Sequence, residues 1–211
     1  MENLPAFDEK RFHFGFLLGL NSADFIMEHD LSRLDSLLVL ESQSQGGFNL
    51  GIITDLHLHP NLNLRFVPQL AFGQRNLEYT FLDLDSARRT TVKPIESTWL
   101  DFPLGFKFRS ARLNNFAAYI YVGGKYSLDL ASQEDVDQGF TEDIIIKIRK
   151  NSYSYEVGFG MDFFLPYFKF SPEIKLGMGV GNIHVQDNSL FSTPIDRLVS
   201  RMMVISLNFE G

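Results

Sequence analysis

The chain has 211 residues, 45% of them hydrophobic and 21% charged, and its net charge of −7 at pH 7 argues against nucleic acid as a partner. It contains no cysteine, which excludes disulfide bonds and thiolate metal sites. No window of about 18 uncharged apolar residues is present, which excludes a transmembrane helix, but a membrane β-barrel needs only about 9–11 residues per strand.

Residues 1–11 are predicted to form a polar N-terminal tail, and residues 12–211 a single β-barrel domain. The first residues, MENLPAFDEK, contain neither the basic nor the apolar segment of a secretion signal, and we interpret the printed chain as a processed form. From Phe12 onward, apolar and polar residues alternate. A period of two indicates β-strands, because successive side chains leave a strand on opposite faces.

The alternation predicts eight strands whose connections are alternately long and short. The predicted strands are 12–21, 48–58, 62–81, 97–108, 116–129, 153–163, 168–180 and 198–209. The predicted long connections are 28–46, 83–94, 131–151 and 181–197, and the short ones are 59–61, 109–115 and 165–167. The apolar residues change parity near Asn76, which predicts a β-bulge. Pro68, Pro103 and Pro172 lie inside predicted strands and are expected at bulges or outside the paired regions.

The hairpin at 153–180 indicates what surrounds the strands. One of its faces is aromatic and aliphatic, and the other combines glycine with Glu156, Asp162, Lys169 and Lys175. Glycine weakens a strand that faces water. In a narrow barrel within lipid, however, the apolar face meets acyl chains and the polar face fills a cramped lumen. The predicted fold class is therefore all-β, an eight-stranded antiparallel transmembrane up-and-down β-barrel.

The connections also predict a location. Outer-membrane barrels have an even number of strands, short periplasmic turns and long external loops. With eight strands, both chain ends fall on the side of the short turns. We therefore expect the outer membrane of a Gram-negative-type cell, with both termini in the periplasm.

The inward face of the predicted barrel carries six acidic and six basic residues. They are Asp55, Asp101, Asp129, Glu156, Asp162, Glu173, Arg65, Arg75, Lys107, Lys125, Lys169 and Lys175. Eight strands enclose a space that side chains fill, and isolated charges there are costly. We therefore predict that these twelve residues form a structural network of ion pairs, which argues against a solute channel.

Other motifs provide weaker arguments for chemistry. His57 and His59 share a face and could ligate a metal, but they have no third ligand at a suitable spacing. Glu156 or Glu173 with Asp162 could form an acid–base pair, but lysines compete for both carboxylates. The glycine-rich run 177–181 suggests a nucleotide loop, but it continues a strand and no helix follows it. The acidic run 134–143 could bind calcium weakly but is more typical of a solvated loop. The sequence therefore predicts no catalytic residue, metal or cofactor.

Several runs resemble the PorT family of outer-membrane proteins, with similarity from about Phe12 to Phe209. The runs are SLLVLESQSQGGFNLGI, LRFVPQLAFGQRNLEY, KYSLDLASQED, YEVGFGMDFFLPYFKFSPEIKLGMGVGN and IDRL. The resemblance implies an eight-stranded outer-membrane barrel that supports type IX protein secretion, the route linked to exported proteases and gliding adhesins. It implies no catalytic residues.

The function predicted from the resemblance and the barrel pattern is that of a non-enzymatic accessory or assembly component of a secretion machine. Its expected partners are outer-membrane lipid and other secretion proteins, with neither nucleic acid nor a small-molecule substrate. The runs Leu37 to Leu40 and Ile144 to Ile148 are candidate docking edges. One alternative is a barrel enzyme acting on lipid or peptide through Asp83, Asp85 and His184. Another is a soluble, lipocalin-like barrel whose aromatic face lines a ligand cavity.

Overall fold

The computed structural model describes residues 3–33, 37–82, 87–132, 146–187 and 191–211. Its strands are β1 Phe12–His29, β2 Leu37–His59, β3 Leu62–Phe66, β4 Gln69–Leu82, β5 Arg88–Arg109, β6 Phe116–Asp129, β7 Asn151–Phe164, β8 Lys169–Val180 and β9 Ile195–Glu210. Two short 3-10 helices cover Phe7–Glu9 and Leu31–Arg33. Within the described ranges, no helix has the length and apolar character needed to cross a membrane.

The strands close into a ring. β3 and β4 are two parts of one strand, because both pair with β2 on one side and with β5 on the other. Each remaining strand pairs with its neighbour in the chain, and β1 closes the ring by pairing with both β2 and β9. All pairs are antiparallel. The predicted fold, an eight-stranded up-and-down barrel, is confirmed.

The two faces of the strands lie as the alternation predicts. Outward apolar side chains are exposed, for example Phe14 at 61% and Ile52 at 63%. Their inward neighbours are buried, with His13 at 1% and Ile53 at 0% exposure. We call the outward apolar surface the belt. The lipocalin-like alternative is wrong, because the aromatic face lies outside the barrel and the charged face inside.

The two ends of the barrel differ. The terminus end contains Phe12, Glu210 and the short turns. At the loop end, β1 continues to His29 and β2 begins at Leu37, so the predicted long connection at 28–46 is wrong. β5 likewise begins at Arg88, inside the connection predicted at 83–94. These strands extend above the belt, where their outward residues are polar. The apolar alternation therefore ends there, and the sequence pattern resembles that of a loop.

The predicted bulge near Asn76 lies on the neighbouring strand instead, because β2 shifts register between Ser44 and Phe48, opposite Arg75 and Phe72. β4 pairs with β5 in an unbroken register from Gln69 to Leu82. Leu77 and Tyr79 point inward and are fully buried, because the interior at the loop end is apolar. There, buried side chains form a cluster that we call the apolar cap. It consists of Phe25, Leu37, Leu40, Leu77, Tyr79, Ile146, Ile148, Ile183, Phe191, Ile195 and Leu198.

The three prolines lie where the strand pairing is interrupted. Pro68 separates β3 from β4, and Pro103 on β5 faces that gap, where its carbonyl accepts a hydrogen bond from the Val67 N–H at 3.2 Å. Pro172 lies opposite a break in the pairing of β7 with β8. Because proline has no N–H to donate, these gaps let the barrel close around it.

The N-terminal residues pack against the terminus end. Phe7 is 5% exposed, and its ring stacks on His13 at a centroid distance of 3.9 Å. Asp8 forms an ion pair with Arg109 at 2.7 Å. The Asn3 N–H donates a hydrogen bond to Asn115 Oδ1 at 2.8 Å. The segment therefore covers the mouth of the barrel at this end.

Candidate functional site in the lumen and at the loop end

Arg65 is the centre of the charged lumen near the terminus end. Its Nη2 lies 2.8 Å from Asp55 Oδ2 and 2.7 Å from Glu210 Oε1, and its Nη1 lies 3.6 Å from Glu173 Oε2. Lys169 shares Glu210, with Nζ 2.8 Å from Oε2. One guanidinium thus holds carboxylates from three different strands, as its planar fork of donors allows.

A second group of charges lies farther toward the loop end. Lys125 Nζ is 3.2 Å from Asp101 Oδ2 and 3.1 Å from Glu156 Oε1. Lys175 Nζ lies 3.8 Å from Glu156 Oε2 and 3.6 Å from Glu173 Oε1. Because Glu173 also contacts Arg65, the two groups form one continuous chain of ion pairs along the lumen.

Lys107 and Asp162 form a separate buried pair. Lys107 Nζ donates to both carboxylate oxygens at 2.8 Å, and Ser171 Oγ donates to Asp162 Oδ1 at 2.6 Å. Lys107 Nζ also lies 3.8 Å from the centroid of the Tyr119 ring. The pair is fully buried.

Arg75 and Asp129 are buried but lie apart from these ion pairs. The Arg75 guanidinium lies 4.1 Å from the Phe25 ring and 4.7 Å from the Trp99 ring. It donates hydrogen bonds to Ser97 Oγ at 3.1 Å and to Ser200 Oγ at 3.2 Å. Asp129, at the end of β6, accepts a hydrogen bond from the Ala131 N–H. These two residues mark the border between the charged lumen and the apolar cap.

Glu210 is a lumen residue that the sequence analysis missed. The predicted last strand, 198–209, ends one residue before it. In the structure it is 1% exposed and contacts both Arg65 and Lys169. The signal was available, because Ser206 and Asn208 alternate inward on β9 and Glu210 continues their parity.

Large side chains and glycines fill the lumen together. Tyr119 is 2% exposed, and its hydroxyl donates to Glu173 Oε2 at 2.8 Å. A Cβ atom on Gly160 would lie only 2.3 Å from the Tyr119 ring, and one on Gly158 only 2.7 Å from Lys175 Cγ. The inward glycines of β7 thus make room for bulky residues on the neighbouring strands.

Within the part of the chain that the structure describes, the remaining sequence candidates do not assemble into a reaction centre. His57 Nδ1 lies 3.0 Å from Asn63 Oδ1, while His59 is exposed. Within the described ranges, no group of three or more His, Cys, Asp or Glu residues could hold a metal ion. Asp83, Asp85 and the acidic run 134–143 lie outside the described residues.

His184 lies beside the apolar cap. Its Nε2 is 2.9 Å from Ser192 Oγ, and the Asp187 N–H donates to the same oxygen at 3.1 Å. His184 is 4% exposed and Ser192 is fully buried. Burial lowers the pKa of His184, because removal from water disfavours the charged imidazolium. This contact pairs a hydroxyl group with an imidazole, as in a nucleophile and its general base, but both side chains are buried.

The predicted docking edges belong largely to the cap. Leu37 and Leu40 are buried in it, and Leu40 is paired with Tyr79 of β4. Only Leu38 and Val39 of this run are exposed. In the second run, Ile146 and Ile148 also pack in the cap, and 144–145 lie outside the described residues.

A protein-family model described as the outer membrane protein beta-barrel domain matches residues 3–185 of the chain. No curated protein matches it. Among solved structures, OprG from Pseudomonas aeruginosa is 13% identical with a TM-score of 0.48, covering 95% of this chain and 94% of that one. Ail of Yersinia pestis, in complex with the heparin analogue sucrose octasulfate, is 12% identical with a TM-score of 0.44, covering 96% and 100%. Neisserial surface protein A is 12% identical with a TM-score of 0.45, covering 92% and 95%.

Proposed function

The chain belongs to the family of outer membrane protein β-barrel domains, and we propose that it is a non-enzymatic accessory or assembly component of a protein-secretion machine in that membrane. The observation that carries this proposal is the filled lumen. Its ion-paired charges are 7% exposed or less, and the N-terminal segment and the apolar cap cover its two ends. A barrel whose interior is filled acts through its outer surfaces.

The resemblance to the PorT family supports type IX secretion as the route. The resembling runs occur in β2, β3–β4, β6, the β7–β8 hairpin and β9, so they extend around the barrel. On this proposal the terminus end faces the periplasm and the loop end faces the cell exterior. The partners are outer-membrane lipid around the belt and other secretion proteins at the loop end, with neither nucleic acid nor a small-molecule substrate.

The twelve charged residues predicted in the lumen have a structural role in this proposal. Ten of them take part in the ion pairs described above, and Arg75 and Asp129 lie at the border with the cap. Residues 12–211 then act as one barrel domain, and its charged interior holds the strands in register. No residue of the network touches a substrate.

Deletion of the gene tests the proposal. We expect the amount of exported protease in the culture medium to fall at least tenfold, and the proteases to accumulate inside the cell. The wild-type gene should restore secretion. Sensitivity of the cells to detergent serves as the control for general damage to the outer membrane. Normal secretion by the deletion strain would contradict the proposal.

The contact between Ser192 and His184 favours a second candidate, a barrel hydrolase acting on lipid or peptide. Its distance of 2.9 Å suits a nucleophile and its general base. Substrate would reach Ser192 only after the cap opened, because this side chain is fully buried. Hydrolysis of a fluorogenic acyl ester that is lost in Ser192→Ala would support the hydrolase, and equal rates for both proteins would exclude it.

A further inference from the structure

Three strands carry a polar surface above the belt at the loop end, which we call the outer face. Outward side chains of the upper parts of β2, β4 and β5 form it. They are Val39, Glu41, Gln43, Asn76, Glu78, Thr80, Leu82, Arg88, Thr90, Val92, Pro94 and Glu96. Val39 and Val92 are 40% and 46% exposed although they lie outside the belt. Single exposed apolar side chains are normal on a protein surface, so the case for a partner depends on the charges of this surface.

The charges of this surface are paired differently from those between β1 and β9. Between β1 and β9, two outward pairs of charged residues lie directly opposite each other, and both have opposite charges. Asp24 lies 2.6 Å from Arg201, and Glu28 lies 3.2 Å from Arg197. Between β2 and β4, Glu41 lies directly opposite Glu78. Like charges in this position destabilise a sheet.

No cation lies directly opposite this pair within the described residues. Arg88 also points outward on β5, but it lies opposite Leu82, four positions beyond Glu78. The side chain of Gln43 donates a hydrogen bond to Glu78, and neither glutamate forms an ion pair. Lys93 on β5 has the opposite parity and turns inward, with Nζ 4.8 Å from the centroid of the Phe191 ring. Natural sequences break such local rules chiefly at functional sites, which motivates a search for a partner of this surface.

We propose that the outer face docks a basic segment of a partner protein, whose lysine or arginine side chains neutralise Glu41, Glu78 and Glu96. The valines supply an apolar contact between these charges. The carboxylates repel phosphate groups, which disfavours a lipid headgroup as the occupant. Docking uses the face of the sheet and not its edge, because Pro94 has no N–H with which to pair an added strand. This inference rests on the proposed function and names the chemistry of the partner.

Site-directed crosslinking tests the proposal, since the chain has no cysteine and each introduced one is unique. A photo-crosslinker attached at Thr80→Cys probes the outer face, and one at Val199→Cys probes the charge-paired surface of β9 as a matched control. In intact cells we expect a protein adduct at least fivefold stronger at position 80, with a contact peptide of net positive charge. The E41K/E78K variant is expected to lose this adduct.

Equal yields at the two positions, an adduct with lipid only, a contact peptide without net positive charge, or an adduct that survives E41K/E78K would each overturn the proposal. If E41K/E78K does not fold, the neutral E41Q/E78Q variant replaces it, with a loss of at least threefold expected and an unchanged yield contradicting the inference. The deletion strain separates the two ideas. Normal secretion without the protein overturns the secretion role alone, whereas impaired secretion without a charge-dependent adduct overturns the basic partner alone.

Discussion

Single residues in the lumen are held by charge complementarity. Arg65 contacts Asp55, Glu173 and Glu210, and all four side chains are at most 3% exposed. A buried ion pair can contribute little net stability, because both charges lose their hydration. Removal of one member is different, since it leaves the other charge buried without a partner.

The Arg65→Met variant is therefore expected to lose about 3–5 kcal/mol of unfolding free energy, because three carboxylates lose a shared cation. Urea titration of the detergent-folded protein, followed by tryptophan fluorescence, measures the change. The control is Arg201→Gln, which breaks an exposed pair and is expected to cost at most about 1 kcal/mol. A loss of similar size in both variants would contradict the central position of Arg65.

His184 gives the apolar cap a dependence on pH. Burial lowers its pKa below 6.5, its value in the unfolded chain, so the unfolded state binds the proton more tightly. The contribution of His184 to stability is complete above pH 6.5 and is lost as the pH falls toward the lowered pKa. Hydrogen exchange at Ile183 and Leu198, corrected for the intrinsic rate, is expected to be faster at pH 5 than at pH 7.5. This acceleration should be smaller in His184→Gln, and an equal acceleration in both proteins would refute the role of His184.

Whole strands show what can be predicted from alternation and what cannot. Within the belt, lipid outside and charges inside impose a period of two, so the eight strands could be predicted, while the structural role of the twelve charged residues stays a prediction. Above the belt both environments change. Outward positions become polar, as at Glu41, and inward positions become apolar, as at Leu77, so the same strand imitates a loop or a bulge. Glu210 was missed because the predicted strand stopped one residue too early.

Strand β7 relies on a glycine to accommodate its neighbour. A Cβ at Gly160 would lie 2.3 Å from the Tyr119 ring, whereas the nearest atoms to a Cβ at Gly177 on β8 lie at 3.7 Å. We expect Gly160→Ala to lose about 1–3 kcal/mol through overpacking. Gly177→Ala serves as the matched control and should change stability little. Equal urea midpoints for both variants would show that Tyr119 moves aside freely.

The repulsion between β2 and β4 predicts an unusual gain. Glu78→Gln keeps a hydrogen-bond acceptor for Gln43 and removes the like charge opposite Glu41, so it should stabilise the free barrel by about 0.2–1 kcal/mol. Glu28→Gln breaks the favourable pair with Arg197, so it should not increase the stability of the barrel. Urea midpoints at low salt compare the two, and the difference should shrink at high salt. A destabilised Glu78→Gln variant would show that the glutamate pair is not frustrated.

The whole molecule is a barrel closed at three levels. The N-terminal segment covers the terminus end, ion pairs and tyrosines fill the middle, and the apolar cap covers the loop end. This closure agrees with the width of an eight-stranded barrel, whose interior side chains fill it. Contacts with other secretion proteins are therefore expected at surfaces such as the outer face, while the filled lumen keeps the barrel rigid.

Electrical recording across a planar lipid bilayer tests this central claim most directly. The purified barrel is inserted, and its insertion is verified by a change in gel migration on heating. The account predicts a silent membrane, with no discrete current steps at either polarity. Reproducible steps that scale with the amount of inserted protein would show an open path through the lumen, and the function would then have to be sought inside the barrel.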